Sequence, residues 1–326
     1  MALSTDTAAA TDLDSYRREL TGYCYRMLGS SFDAEDAVQE TMIRAWRAAD
    51  AFEGRSSLRT WLYRIATNVC TDLLRGRARR ALPMDLGPSC PPVVSSLERV
   101  LGDEAWISPI SDQVVLEAGI DPADEVALRD SVRLAFVAAL QRLPARQRAA
   151  LILCEVLRWR AVEVAELLGT TVAAVNSSLQ RARATLAALE ANVGDGGGAV
   201  TGDQRQLLAS YVEAFESYDI DRLVGLLHDD AEQTMPPYAM WLRGAPDIGA
   251  WMLGVGRECS GSRLVPTSAN GCPAFGQYRP SADGVHRPWS LQVVEISGAK
   301  IARIHAFLDT GRIFPLFGLP AELRAG

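Results

Sequence analysis

The chain has almost no lysine: of its 33 basic residues, Lys300 alone is not arginine. Any cationic surface is therefore made of guanidinium groups, whose planar fork of donors suits phosphates and base edges. Histidine is scarce too, at 228, 286 and 305, and the six cysteines at 24, 70, 90, 154, 259 and 272 include no Cys-x-x-Cys pair. This argues against a structural zinc site, which takes closely spaced ligands. Each cysteine reads instead as a small apolar residue in a reducing compartment. No metal and no cofactor is expected. No apolar run approaches the roughly 20 residues that cross a bilayer, and Met1 to Asp14 lacks the basic flank and apolar stretch of a secretion signal. No membrane partner is expected, and a cytoplasmic location is. Acids outnumber bases 40 to 33, a net charge of -7. Taken whole, that speaks against nucleic acid, which needs clustered cations. But 326 residues suggest two or three domains, and their sum can conceal local charges of opposite sign.

Three blocks and two connectors follow from composition. Residues 13–80 carry helical periodicity throughout. Residues 81–124 are broken by prolines at 83, 88, 91, 92, 109 and 122 and turn acidic from Glu98 onward. Residues 125–191 are helical again, and 192–200 hold the flexible run Gly194-Asp195-Gly196-Gly197-Gly198. Residues 201–326 change character. Gln204 to Tyr218 reads as a helix and Asp219 to Leu227 as a shorter one, before strand-like segments Arg263–Ala269, Ala274–Arg279 and Trp289–Leu308.

In the second helical block, Ala161–Leu168 reads as a helix, Gly169-Thr170-Thr171 as a turn and Val172–Leu189 as a second helix. Val172, Val175, Leu179, Ala182 and Leu186 form its apolar stripe. The opposite face then carries Ala173, Asn176, Ser177, Gln180 and Arg183, flanked by Arg181. Small and amide side chains followed by arginines suit a helix entering a major groove; the alternative is a solvated surface helix. Upstream, Pro144 sits at the start of a helix whose first turn carries Arg146 and Arg148, a place for phosphate. The pattern Leu143-Pro144-x-x-x-Arg148, then a helix-turn-helix ending Gln180-Arg181-Ala182-Arg183, resembles region 4 of the sigma-70 family of bacterial RNA polymerase promoter-specificity factors.

The first block strengthens that resemblance. A helix over Asp33–Trp46 would bury Val38, Met42, Ala45 and Trp46. It would present Asp36, Gln39, Glu40 and Ile43, an acidic face with one apolar residue, fit for a basic protein partner. From Gly54 to Arg80 there are seven arginines and one acid, Asp72, the nucleic-acid surface that the total charge hides. Ser56 is expected to cap the helix that carries it. Trp61 and Tyr63 are either stacking aromatics or core. The string Asp33-Ala-Glu35-Asp36…Gln39-Glu40…Arg44-Ala-Trp46, then Phe52…Arg55-Ser-Ser-Leu-x-Thr60-Trp61-Leu-Tyr-Arg64-Ile-Ala-x-Asn68, resembles region 2 of the extracytoplasmic-function (ECF) sigma factors.

The resemblance implies a transcription initiation factor, not an enzyme, with core RNA polymerase and promoter DNA as partners. Asp33, Glu35, Asp36, Gln39, Glu40, Ile43 and Arg44 would dock on the polymerase. Phe52, Glu53, Arg55, Ser56 and Ser57, with Arg64, Asn68, Thr71, Arg75, Arg79 and Arg80 on the following helix, would bind the minus-10 element. Arg146, Arg148, Thr171, Ala173, Asn176, Ser177, Gln180, Arg181 and Arg183 would meet the minus-35 element. The acidic connector would thread the polymerase. Two departures stand out: Arg158-Trp159-Arg160 lacks the glycine usual at this bend, and Ala173 and Ala174 are apolar where many members are polar.

Residues 201–326 resemble the SnoaL-like cone. The expected fold is thus multi-domain: two all-α sigma modules, a region 2 bundle and a region 4 helix-turn-helix, plus an α+β cone. Such a cone encloses an apolar pocket, here for Tyr238, Trp241, His286, Trp289 and His305 to line, with a small molecule as candidate ligand. Intramolecular regulation that needs no separate anti-sigma partner is the first expectation. A cyclase- or isomerase-type enzyme fused to a DNA-binding half is the second.

Overall fold

The computed structural model describes residues 13–52, 54, 56–116, 122–188 and 201–324. Glu53, Arg55 and the glycine-rich stretch 192–200 lie outside them. The chain divides into two compact units, one of residues 1–80 with 113–193, the other of residues 81–112 with 194–326. Part of the connector thus belongs with the C-terminal domain, a division that composition did not suggest.

The first unit is helical. Its N-terminal bundle is α1 (Arg17–Leu28), α2 (Ser31–Arg47) and α3 (Leu58–Leu74). Ser30 caps α2 by accepting from the Asp33 backbone N–H, and Ser57 caps α3 by accepting from that of Thr60. The cap of α3 is therefore one residue later than expected. Leu20, Tyr23, Val38, Leu62, Ala66 and Val69 fill the bundle's core. Then come α4 (Pro122–Asp130), α5 (Leu134–Gln141), α6 (Ala145–Leu151), α7 (Ala161–Leu167) and α8 (Val172–Ala187). Val164, Leu167, Val175, Leu179 and Ala182 are buried, whereas Val172, at the first turn of α8, is exposed.

Two buried arginines join the N-terminal bundle to the helices after it. Arg26 of α1 donates to Ser131 Oγ through Nε (3.0 Å) and Nη2 (2.6 Å). Arg148 of α6 donates to the carbonyl of Met27, to Gln141 Oε1 at 2.6 Å and to the Leu143 carbonyl at 3.0 Å. Burial lowers the pKa of each to about 10, still far above neutral. The charges are compensated by oxygen dipoles, the form in which a buried cation is tolerated.

The second unit packs α9 (Gly202–Glu216), α10 (Ile220–Leu226) and α11 (Ala245–Leu253) on a bent sheet of β1 (Leu227–Thr234), β2 (Trp241–Arg243), β3 (Arg263–Ala269), β4 (Cys272–Pro280), β5 (Val285–Ser297) and β6 (Lys300–Phe307). Their order is β2-β1-β6-β5-β4-β3, and the short β7 (Leu323–Arg324) pairs with β5. The β1–β6 pair is parallel and the other pairs are antiparallel. Register breaks at Leu227/Glu232, Gln277/Tyr278 and Glu295/Ile296 bend the sheet into a cone wall. One face meets α9–α11; on the other, Phe314 of α12 (Thr310–Leu316) stacks edge-on to Tyr278.

The connector straps this cone. Cys90 N–H donates to the Trp241 carbonyl (2.8 Å) and Trp241 Nε1 to that of Gly87 (3.0 Å). Leu101 N–H donates to the Pro237 carbonyl (3.1 Å) and Ala239 N–H to that of Arg99 (2.9 Å). Further along, Asn270 exchanges two bonds with Ile110: its backbone N–H donates to the Ile110 carbonyl, and its Oδ1 accepts from the Ile110 N–H, both at 3.0 Å. Gly271 N–H donates to Asp112 Oδ1 (2.8 Å), and Arg312 pairs with Asp103 at 2.6 Å. Trp106, Ile107 and Ile110 are buried. An acidic stretch without periodicity is thus ordered by single backbone pairings.

Candidate nucleic-acid interface

On α2, Glu35, Asp36, Gln39, Ile43 and Arg44 are exposed and Glu40 is half-buried, pairing with Arg44 at 2.7 Å. Asp33 is drawn away from this face: it accepts from Arg77 (2.9 Å) and Arg80 (2.7 Å) and so ties the start of α2 to the arginine run. Trp46, expected to pack inward, is 59% exposed beside Ile43. It lies at the edge of the apolar stripe, on the exposed side of α2.

The arginine run divides by role. Arg75 and Arg79 are exposed, as is Asn68, and Thr71 is half-buried beside them. Arg59 is held by Glu19 at 2.9 Å and lies over the Tyr63 and Trp159 rings at 5.4 and 5.1 Å. Arg64 donates to the Glu166 carbonyl of α7 at 3.3 Å. Arg64 is thus turned toward the helix-turn-helix. Tyr63 is buried against Tyr23 and Trp159 and so is core, while Trp61 is half-buried against Phe52, ring centroids 5.0 Å apart. Ser56 is half-buried, and Ser57 is occupied by its cap. Where α3 meets α7, Tyr63 Oη and Trp159 Nε1 are buried with no hydrogen-bond partner among the described residues.

In the helix-turn-helix, Thr171 caps α8 by accepting from the Ala174 N–H at 3.2 Å. Ala173, Asn176, Ser177, Gln180, Arg181 and Arg183 are all exposed, on the face opposite Val175, Leu179 and Ala182. Arg183 is held by Glu155. Arg146 is exposed, but Arg148 is 4% exposed and committed to carbonyls, which removes it from the minus-35 contacts. Two residues on in a helix is more than half a turn, so Arg146 and Arg148 cannot share a face. Arg26, buried in the same seam, carried no sequence signal at all. Arg158 has φ +60°, so the bend before α7 keeps a left-handed backbone without its glycine.

The cone's cavity, about 160 Å³, is lined by Tyr238 and Trp289 but by neither Trp241, His286 nor His305. Trp241 is turned to Gly87 of the connector, and His286 hydrogen-bonds the Gly261 carbonyl at 3.1 Å. His305 is on the sheet's other face, between Thr234 Oγ1 (2.9 Å) and Glu295 Oε1 (3.3 Å). Strand alternation decides this: Ile304 and Ala306 of β6 point into the cavity, so His305 points away.

Residues 13–80 match the model of Sigma-70 region 2, and residues 133–186 that of Sigma-70, region 4. The chain is 47% identical over 317 residues to the ECF RNA polymerase sigma factor SigG of Mycobacterium tuberculosis, covering 95% of this chain and 83% of that protein. It is 28% identical to ECF RNA polymerase sigma factor SigJ of the same organism, over 96% of this chain and 95% of that one. The crystal structure of M. tuberculosis SigJ superposes with a TM-score of 0.58 at 22% identity, over 95% of this chain and 99% of that chain, which extends the likeness in fold through the C-terminal domain. With an outward-facing helix-turn-helix, an arginine-rich helix and an acidic helix on one chain, this protein belongs to the ECF group of RNA polymerase sigma factors, which initiate transcription and are not enzymes.

Proposed function

We propose that this alternative sigma factor restrains itself through its own connector. In this reading α2 docks core RNA polymerase through Asp36, Gln39, Glu40 and Ile43, with Trp46 as an added aromatic anchor. Glu53 to Ser57 forms the base pocket for the opened minus-10 strand, and Asn68, Thr71, Arg75 and Arg79 follow its backbone. Ala173, Asn176, Ser177 and Gln180 enter the major groove of the minus-35 element while Arg146 and Arg181 hold phosphates. The observation that carries the regulatory half is the strap: the acidic stretch that the family threads through the polymerase is paired to the cone by backbone hydrogen bonds at Cys90, Arg99, Leu101 and Ile110. One stretch cannot occupy both places, so release from the cone precedes transcription. A separate anti-sigma protein is not required by this reading and is compatible with it.

Run-off transcription with purified core polymerase on genomic fragments tests it. The full chain is compared with an Asn270→Ala, Arg312→Ala double variant and with a chain ending at Ala191. Loosening the strap should raise transcript yield several-fold at equal core occupancy. Yield that is unchanged or lower overturns the restraint, and failure of every form to bind core overturns the docking assignment.

A further inference from the structure

The cone's cavity has a wall that is not part of the cone. Leu97 of the connector lines it and packs on the same apolar core as Phe215, Ile248 and Trp251. Three residues on, Val100 forms a bridge with Tyr238, which also lines the cavity. The strap and the cavity therefore share a surface.

The lining sets what could bind. A volume of about 160 Å³ is close to that of cavities that accept a single benzene-sized ring. Most of the wall is apolar, from Leu223, Met235, Met252, Ile304 and Ala306. At one end is a chain of uncharged groups: Tyr211 Oη donates to Gln292 Oε1 (2.7 Å), and Gln292 Nε2 (2.9 Å) and Ser290 Oγ (2.8 Å) both donate to Gln277 Oε1. Gln277 Nε2 in turn donates to Ser262 Oγ at 3.1 Å. Each amide nitrogen has two hydrogens, so Gln292 and Gln277 each keep one N–H for a ligand oxygen. The charged lining residues, Arg279 and Glu258, pair with each other at 3.0 Å, and Arg279 is stacked on Trp289 at 3.3 Å. Glu258 is largely exposed and Arg279 Nε is buried with no hydrogen-bond partner among the described residues. An anion would lose its hydration for this one guanidinium, whose charge Glu258 and the Trp289 ring already offset, and a cation would find no buried carboxylate.

We propose that this cavity binds an uncharged, single-ring molecule bearing one hydroxyl or carbonyl, and that Leu97 makes such binding and capture of the connector one linked equilibrium. A ligand that touches Leu97 holds the strap closed, and by reciprocity a docked strap tightens the ligand. The regulatory consequence rests on the restraint proposed above. The site itself does not, and its test needs no polymerase, so the two can fail separately.

The full chain is titrated with phenol and acetophenone as uncharged probes and with benzoate as their charged counterpart, by saturation-transfer NMR and calorimetry. Both uncharged probes should saturate at millimolar concentration or below and more tightly than benzoate. Leu97→Ala, on the connector, should weaken them about threefold to tenfold, as expected for a lost apolar wall contact. Ala306→Leu should abolish binding by filling the cavity. Amide exchange across residues 87–103 should slow several-fold at saturation in the parent chain. Absence of saturable binding by either probe, equal or tighter benzoate binding, or affinity and exchange both indifferent to Leu97→Ala would overturn the proposal. Should Ala306→Leu not fold, the Leu97 variant decides.

Discussion

Arg146 and Arg148 stand two positions apart and do opposite things. Arg146 projects into solvent at the start of α6, whereas Arg148 is sunk among the carbonyls of Met27, Gln141 and Leu143. Losing Arg148 strands those acceptors in a dry seam, at a cost of about 1–3 kcal/mol for each that stays unpaired. Arg148→Met should therefore lower the urea-unfolding free energy by roughly 3 kcal/mol or more, while Arg146→Ala should stay within about 0.5 kcal/mol. On minus-35 duplexes the order should reverse under the proposed contacts, with Arg146→Ala weakening binding and flattening its salt dependence by about one phosphate's worth. Equal loss of stability in the two variants would refute the assignment. Sequence alone treated both as phosphate ligands because it saw only a helix N-terminus. Which face of that helix meets Met27 depends on a contact 121 residues away.

At the scale of elements, the bend into α7 preserves a backbone shape after its usual residue has gone. Arg158 has φ +60°, a region that costs a side chain about 1–2 kcal/mol and glycine little. Arg158→Gly should raise the unfolding free energy by about 1 kcal/mol, net of the extra freedom glycine brings to the unfolded chain, and shift the melting temperature upward. A lower melting temperature would mean that exposed Arg158 is held by something other than its backbone. The element order of both sigma modules was legible because their stripes recur at helical spacing and their motifs are dense. Much of the cone was not. The strand β1, Leu-His-Asp-Asp-Ala-Glu-Gln-Thr, carries charge along its exposed part and gives no apolar alternation. It is a strand because β6 and β2 flank it. The fault over His305 was different, since the alternation was there to be read and only the facing of Ile304 and Ala306 was missing.

For the molecule as a whole, the net charge of -7 hides the arginine-rich segment 54–80 behind acids spread through the rest of the chain, the connector and the C-terminal domain among them. The seam between α3 and α7 is closed but not fully satisfied, since Tyr63 Oη and Trp159 Nε1 have no partner among the described residues. Such a seam opens at less cost than a fully bonded one. The strap has a geometric consequence as well. Each residue from Ala81 to Asp112 that the cone holds withdraws roughly 3.4 Å of contour from the tether between the two promoter-reading modules. On the restraint proposed above, a cone that keeps the strap holds back the length the two modules need to reach both DNA elements at once, and release returns it. On templates with graded separations between the minus-35 and minus-10 elements, the gain in transcript of the Asn270→Ala, Arg312→Ala variant over the full chain should be largest at the longest spacers. Identical spacer profiles would show that the tether's slack plays no part in promoter choice.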